Sequence, residues 1–335
     1  MAFTARTRTQ EGVEGQNATV YVLEDGGGGK AEVWPALGFN CFHWSAVRGG
    51  AALDLLYADP ALFANGRPTR SGIPVLFPFP NRIRDGRFTW EGQEYQLPLN
   101  DPASKNAIHG FACRRPWRVL DSDGDGASAW VTAAFRGSLD APDCRELWPT
   151  DYEIRLTIRL GLGSLRLEAE VTNPDRVPLP FGLGYHPYFR LPFVAGEKAE
   201  ECLVEVPARD YWVLEESLPT GAKEPVDAAR DLNRPRRYGE LKLDDVLTDL
   251  PAGPGTGGLR ERALVQGAPG ATLRLLASAD FREMVVFTPP HRQAFAAEPY
   301  TCTTDAINLQ QRGTDAGLRV LPPGGSWSGV VEMRV

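Results

Sequence analysis

Two side chains in this sequence stand where proton transfer could be held. His186 lies in "FGLGYHPYFRLP", between Tyr185 and Pro187, with Gly182 and Gly184 breaking any regular strand or helix ahead of it. Proline fixes its own backbone dihedral, so the histidine is held by a loop, as a positioned catalytic group would be. Glu298 follows "AFAA" and precedes Pro299. A carboxylate among small and apolar residues loses hydration, which raises its pKa toward the range useful to a base. An imidazole and a desolvated carboxylate together supply a general acid and a general base. Each residue also has a plainer reading. His186 could be a polar plug against Tyr185 and Tyr188, and Glu298 a partner for a buried arginine or simply exposed.

Other groups extend the list. His109 lies in "NAIHGFACRRPW", where Gly110 permits a sharp turn or a close ligand, although a hydrogen-bonded histidine at a strand end fits as well. Arg82 and Arg84 in "PFPNRIRDG", and Arg114 and Arg115 after His109, could recognise an oxygen-rich ligand. Asp244 and Asp245 in "KLDDVLTDL" read as a helix-entry or loop pair. The four histidines have no metal-ligand spacing, and the five cysteines are scattered, so no zinc site or disulfide framework is expected. "GGGGK" at 26–30 is not a phosphate loop, because Glu24 stands where that motif needs glycine and Ala31 follows Lys30. It reads as a hairpin turn.

The elements that must carry these groups are strands. In "DYEIRLTIRLGLGSLRLEAEVTN" apolar residues alternate with polar ones on both sides of a turn, which predicts a long antiparallel hairpin. "GRFTWEGQEYQL" predicts a second, turned at Glu91-Gly92. "ATVYVLEDGGGGKAEVWPA", "ATLRLLAS", "REMVVFTPP" and "WSGVVEMRV" continue the pattern, while "ALFAN" and "YGELKLDDVL" each suggest at most a short helical turn. Strand-helix alternation is missing, and "DLPAGPGTGGLRER" is a long loop more than a linker. Residues 1–335 are therefore read as one all-β domain, a large antiparallel β sandwich. A net charge of −7 argues against nucleic-acid and anionic-membrane partners. With no apolar leader and no membrane-length apolar run, a cytoplasmic location is expected.

Together these stretches resemble one family. "NRIRDGRFTWEGQEYQL", "AIHGFACRRPW", "GYHPYF", "SLPTGAKEPV", "LDDVLTD" and "EPYTCTTDAIN" are similar, in order, to the motifs of aldose 1-epimerases (galactose mutarotases) across about residues 70 to 310. The resemblance implies a twisted β supersandwich that interconverts the α and β anomers of a free aldose, without metal or redox cofactor. It implies Glu298 as the base on the C1 hydroxyl and His186 as the acid on the ring oxygen. His109 would hold that oxygen from a second direction, and Arg82 and Asp244 would bind sugar hydroxyls. Asp244 is preferred over Asp245 by alignment. Acid and base are expected on roughly opposite sides, with Trp44, Tyr188 and Phe189 available to stack on the sugar. A bell-shaped pH profile is expected, its acidic limb set by Glu298 and its basic limb by His186.

The chain departs from the family's commonest pattern at Tyr185 and Arg190, where asparagines are usual, and in a Glu298–Asp305 spacing one residue longer. These changes bear on which sugar is bound more than on the reaction. One rival is a hexose-6-phosphate 1-epimerase, for which Arg84, Arg114, Arg115 and Arg190 are candidate phosphate holders. Another is a sugar-binding module without catalysis, which would not need both His186 and Glu298. A small-molecule sugar is the expected partner, with the protein a monomer or homodimer.

Overall fold

The computed structural model describes every residue except Met1, Glu14, Pro102 and 268–270. The chain is about 48% strand and 10% helix, in antiparallel sheets. The period-2 segments are strands, as alternation requires. Glu153–Gly161 and Ser164–Thr172 pair along their whole length, with Ile154, Leu156, Ile158 and Leu160 facing Leu165, Leu167, Ala169 and Val171 on the buried side. Arg87–Trp90 and Gln93–Gln96 form the second hairpin, and Glu91 and Gly92 both take the left-handed conformation its two-residue turn needs. "GGGGK" joins strands Thr19–Glu24 and Lys30–Trp34. Its turn is closed by the Asp25 carboxylate, which accepts from the backbone N–H groups of Gly27 and Gly29.

Two large sheets face one core, which draws residues from Leu23 to Met333. The first carries the long hairpin beside Ser326–Arg334, Thr272–Ser278 and Leu259–Gln266. The second carries the candidate site. In it Asp244–Thr248 pairs with Glu283–Phe287, which pairs with Ala294–Tyr300. Ala294–Tyr300 in turn pairs with the short strands Gly184–Tyr185 and Tyr188–Arg190. Alternation divides this sheet: Met284, Val286, Phe295 and Ala297 enter the main core, while Val285, Phe287, Glu298 and Tyr300 line the opposite face.

The short helical turns read in "ALFAN" and "YGELKLDDVL" are present, and one expectation beside them is corrected. In "YGELKLDDVL" only Tyr238–Glu240 makes a single tight turn, and Asp244–Thr248 is a strand. Asp244 and Asp245 are therefore neither a helix entry nor a loop pair. Val246 and Leu247 bury on opposite faces of the sheet, and pairing with Glu283–Phe287 decides the outcome. The helix Ala306–Gln311 was not anticipated; at six residues it is too short to show a helical period.

Candidate active site

Strand register brings the acid-base candidates together. The pairings Gly184↔Tyr300 and Tyr188↔Ala296 bracket His186 and Glu298 as cross-strand neighbours. His186 Nε2 lies 3.3 Å from Glu298 Oε1. The histidine lies outside the assigned strands, but its N–H donates to the Pro74 carbonyl at 3.1 Å, so the segment runs in line with the sheet. The two candidates are thus side by side, not on opposite sides of the cavity.

The glycines of "FGLGYH" make room for what lies behind the pair. A Cβ on Gly184 would stand 2.4 Å from Cδ1 of Tyr300, and one on Gly182 2.3 Å from Cys302 Sγ. Tyr300 uses that space to donate its hydroxyl to Glu298 Oε2 at 2.5 Å. Oε2 is occupied by this bond, and Oε1 is the oxygen turned toward His186.

His109 is held by a reciprocal link. Its N–H donates to the Asn81 carbonyl at 2.9 Å, and the Asn81 N–H donates to His109 Nδ1 at 3.3 Å. Asn81, His109 and Gly110 all have positive φ, and a Cβ on Gly110 would stand 2.2 Å from the Phe77 carbonyl oxygen. Backbone strain at non-glycine positions persists only where the surroundings over-determine it. With Nδ1 accepting, the neutral ring carries its proton on Nε2 and is a donor.

Arg82 is oriented by residues the sequence did not single out. Its Nε donates to Asp101 at 2.9 Å and its Nη1 to Asn81 Oδ1 at 3.2 Å. The "DAIN" motif braces the same stretch from below. Asp305 N–H donates to the Arg82 carbonyl at 2.8 Å, and Asp305 Oδ1 accepts from the Arg84 N–H at 3.1 Å. Asn308 donates to Asp305 at 2.7 Å and to the Arg87 carbonyl at 2.9 Å.

Glu298, His186, His109, Arg82 and Asp244 all line one cavity of about 190 Å³, together with Asn81, Ile108, Val285, Phe287 and Tyr300. Asp245 does not; it is ion-paired with Arg230 at 2.7 Å. The aromatic expectation is corrected. Trp44 and Phe189 are fully buried in the main core, and Tyr188 stacks on His186, so Phe287 and Tyr300 are the rings at the cavity wall. Phe287 was legible only as an alternating strand residue; nothing in its type marked it.

Burial dominates the electrostatics. Desolvation raises the Glu298 carboxyl well above its usual range, with the Tyr300 hydrogen bond opposing, Asp244 adding and Arg82 opposing. The same burial pushes His186 down to about 3. His109 falls well below the usual imidazole value, from burial first and then the charges of His186, Arg82 and Arg114. Asp244 is raised by desolvation, against Arg82 and with Asp245. Burial therefore favours the neutral form of both imidazoles at pH 7 and disfavours a separated Glu298–His186 ion pair. Among the described residues, no three His, Cys, Asp or Glu side chains converge as metal ligands.

The antiparallel sandwich matches the galactose mutarotase-like fold. A galactose mutarotase-like protein from Clostridium acetobutylicum superposes with a TM-score of 0.83 at 22% identity, covering 98% of this chain and 97% of its own. Galactose 1-epimerase from Lactobacillus acidophilus NCFM gives 0.76 at 19% identity, covering 98% of each chain. Residues 52–334 match the family profile described as Aldose 1-epimerase, and the chain belongs to the aldose 1-epimerase family. The uncharacterized protein YihR of Escherichia coli K12 is 28% identical over 80% of this chain and 83% of its own length. Rat galactose mutarotase is 30% identical over 48% of this chain, and the match spans 44% of the rat protein.

Proposed function

We propose that the protein interconverts the α and β anomers of a free, unphosphorylated aldose. The observation that carries this reading is the 3.3 Å contact between His186 Nε2 and Glu298 Oε1 inside a cavity lined by His109, Arg82 and Asp244. Mutarotation moves one proton off the C1 hydroxyl and another onto the ring oxygen, and a carboxylate beside an imidazole supplies both transfers. The pair's one proton passes from Glu298 Oε1 to His186 Nε2 across the 3.3 Å contact; Oε1 then takes the C1 hydroxyl proton as Nε2 gives its own to the ring oxygen. His109 Nε2–H donates to the ring oxygen as C–O cleavage builds charge there. Arg82 and Asp244 bind hydroxyls. The ring opens to the aldehyde, the C1–C2 bond turns, and closure on the other face reverses both transfers. The pair shares one proton throughout and ends each cycle as it began.

The cavity favours a neutral sugar over a phosphorylated one. None of Arg84, Arg114, Arg115 or Arg190 lines it. Arg115 is paired with Asp143, and Arg190 with Asp54 at 2.7 Å. A phosphate entering here would meet Asp244 and Glu298, with Arg82 already committed to Asp101. A pure binding module would gain nothing from desolvating a carboxyl against a second titratable group. Polarimetry of freshly dissolved α-D-glucose, α-D-galactose and glucose 6-phosphate, with and without protein, tests the reading. Acceleration for at least one free aldose and not for the phosphate is expected. No acceleration for any of them refutes the activity.

A further inference from the structure

We propose that Tyr300 is a positioning residue: its hydroxyl, donating to Glu298 Oε2, confines the pair's single proton to Oε1 beside His186 and holds the carboxylate once that proton has passed. Glu298 and Tyr300 lie two residues apart on strand Ala294–Tyr300, so their side chains share the cavity face. The Tyr300 hydroxyl lies 2.5 Å from Oε2, and among the described residues it makes no other hydrogen bond. A phenol has one proton. Were the carboxyl protonated on Oε2, that oxygen would donate to Tyr300 and leave the phenol's own proton buried without an acceptor. With Tyr300 as the donor, Oε2 only accepts, and the proton belongs on Oε1, 3.3 Å from His186 Nε2. The ring has little freedom to leave. It is fully buried in the space Gly184 provides, and the next residue ties the strand down through Thr301 N–H to the Leu183 carbonyl at 2.9 Å. Burial first, and then the charge of Glu298, hold the phenol well above its ordinary value, so it stays a donor.

The consequence falls on the transfer from Glu298 to His186, and this part rests on the acid-base reading above. The titratable and charged groups facing Glu298 are His186, Tyr188, Tyr300, Asp244 and Arg82, with His109 edge-on to His186 and Glu283 across the strand from Tyr300. Passage of the proton from Oε1 to Nε2 leaves a buried carboxylate beside an imidazolium. Desolvation opposes both charges. The Tyr300 hydrogen bond is the largest effect favouring the charged carboxyl, and the bond of the His186 ring to its own backbone favours the charged imidazole. Without the phenol's O–H, Oε2 would be a buried acceptor with no partner. Either carboxyl oxygen could then carry the proton, and giving it to His186 would cost more.

The test begins with infrared difference spectra of the sugar-free protein near pH 6, the parent against E298Q. They should show one protonated-carboxyl C=O stretch at the position of a hydrogen-bonded carbonyl, because Oε2 is the C=O oxygen and accepts from Tyr300. Tyr300→Phe keeps the ring and removes the donor. Taken against its own E298Q counterpart, the Y300F stretch should move to higher wavenumber. Its kcat should fall about tenfold to a hundredfold with KM within about threefold, the scale of a lost hydrogen bond to a charged group. The alkaline limb of its kcat/KM profile should move to higher pH, since the carboxyl then holds its proton more tightly. A parent with no such stretch, a parent stretch at the position of a free carbonyl, or a stretch that Y300F leaves in place overturns the assignment. A shifted stretch with undiminished kcat, or an unmoved alkaline limb, overturns the positioning role. The parent spectrum depends neither on the folding of Y300F nor on turnover. A parent inactive on every aldose therefore refutes the proposed function, while the spectrum still decides which oxygen carries the proton.

Discussion

Glu298→Gln is the substitution on which the proposed chemistry depends most. Glutamine has nearly the shape of glutamate, and its amide oxygen can still accept the Tyr300 hydroxyl that now reaches Oε2 at 2.5 Å. The amide cannot take a proton from the C1 hydroxyl. Losing a general base costs about 10²- to 10⁴-fold in rate, or about 3–5 kcal/mol of activation free energy. Folding should not suffer. The folded-state carboxyl lies well above its ordinary value, so the folded protein binds that proton more tightly than the unfolded chain does. Stability then declines as pH rises from the ordinary carboxylate range toward the raised value, and glutamine escapes that decline. The melting temperature of E298Q relative to the parent should therefore rise with pH. Exchange NMR of the two anomers at equilibrium measures the rate, and calorimetric titration with the sugar checks binding. A folded, sugar-binding E298Q that interconverts anomers within a few-fold of the parent would falsify Glu298 as the base.

Four further outcomes are expected. The kcat/KM profile should be bell-shaped with limbs opposite to those read from residue types. Burial puts His186 at about 3, so the acid limb marks a second proton reaching the pair there, and the alkaline limb marks loss of the pair's single proton from the raised carboxyl; an acid limb at the ordinary imidazole value would contradict this. Glu283, fully buried and accepting from Trp212 Nε1 at 3.1 Å, is raised to about 7 chiefly by desolvation. Glu283→Gln should gain up to about 3 kcal/mol over the parent as pH rises from about 4.5 to 7, read from denaturant melts; a constant difference across that window would show that Glu283 does not titrate there. Gly184→Ala drives a methyl into the Tyr300 ring and should cost about 1–3 kcal/mol of stability and also lower kcat, both checked on purified protein. Exhaustive chelation should leave the rate unchanged, because the transfers proposed use side chains alone; a chelator-sensitive rate restored by zinc would show His109 and His186 to be ligands.

Residue type and order were enough for much of this protein. Hairpins announce themselves when one face is buried and the other wet, as in Glu153–Thr172, because alternation then appears directly in the letters. Glycine and proline beside a titratable side chain drew attention to His109, His186 and Glu298, but each kept a plainer reading, and their roles came from the resemblance to aldose 1-epimerases. Tertiary structure decided what depends on a second strand. "AFAAEPY" shows no alternation because both faces of Ala294–Tyr300 are covered, so only register reveals that Glu298 faces the cavity and Ala297 the core. Likewise Asp244 and Asp245 are equal in sequence. A single residue step on a strand turns one to the cavity and the other to Arg230. Trp44 looked like a sugar platform and is core, whereas Phe287, marked only by its place in an alternating strand, lines the cavity, since an aromatic side chain suits either place. Of the electrostatics, the rise of Glu298 was legible in its apolar neighbours, whereas the fall of His186 depends on how much water the fold removes from it, a quantity that no single segment of the chain carries.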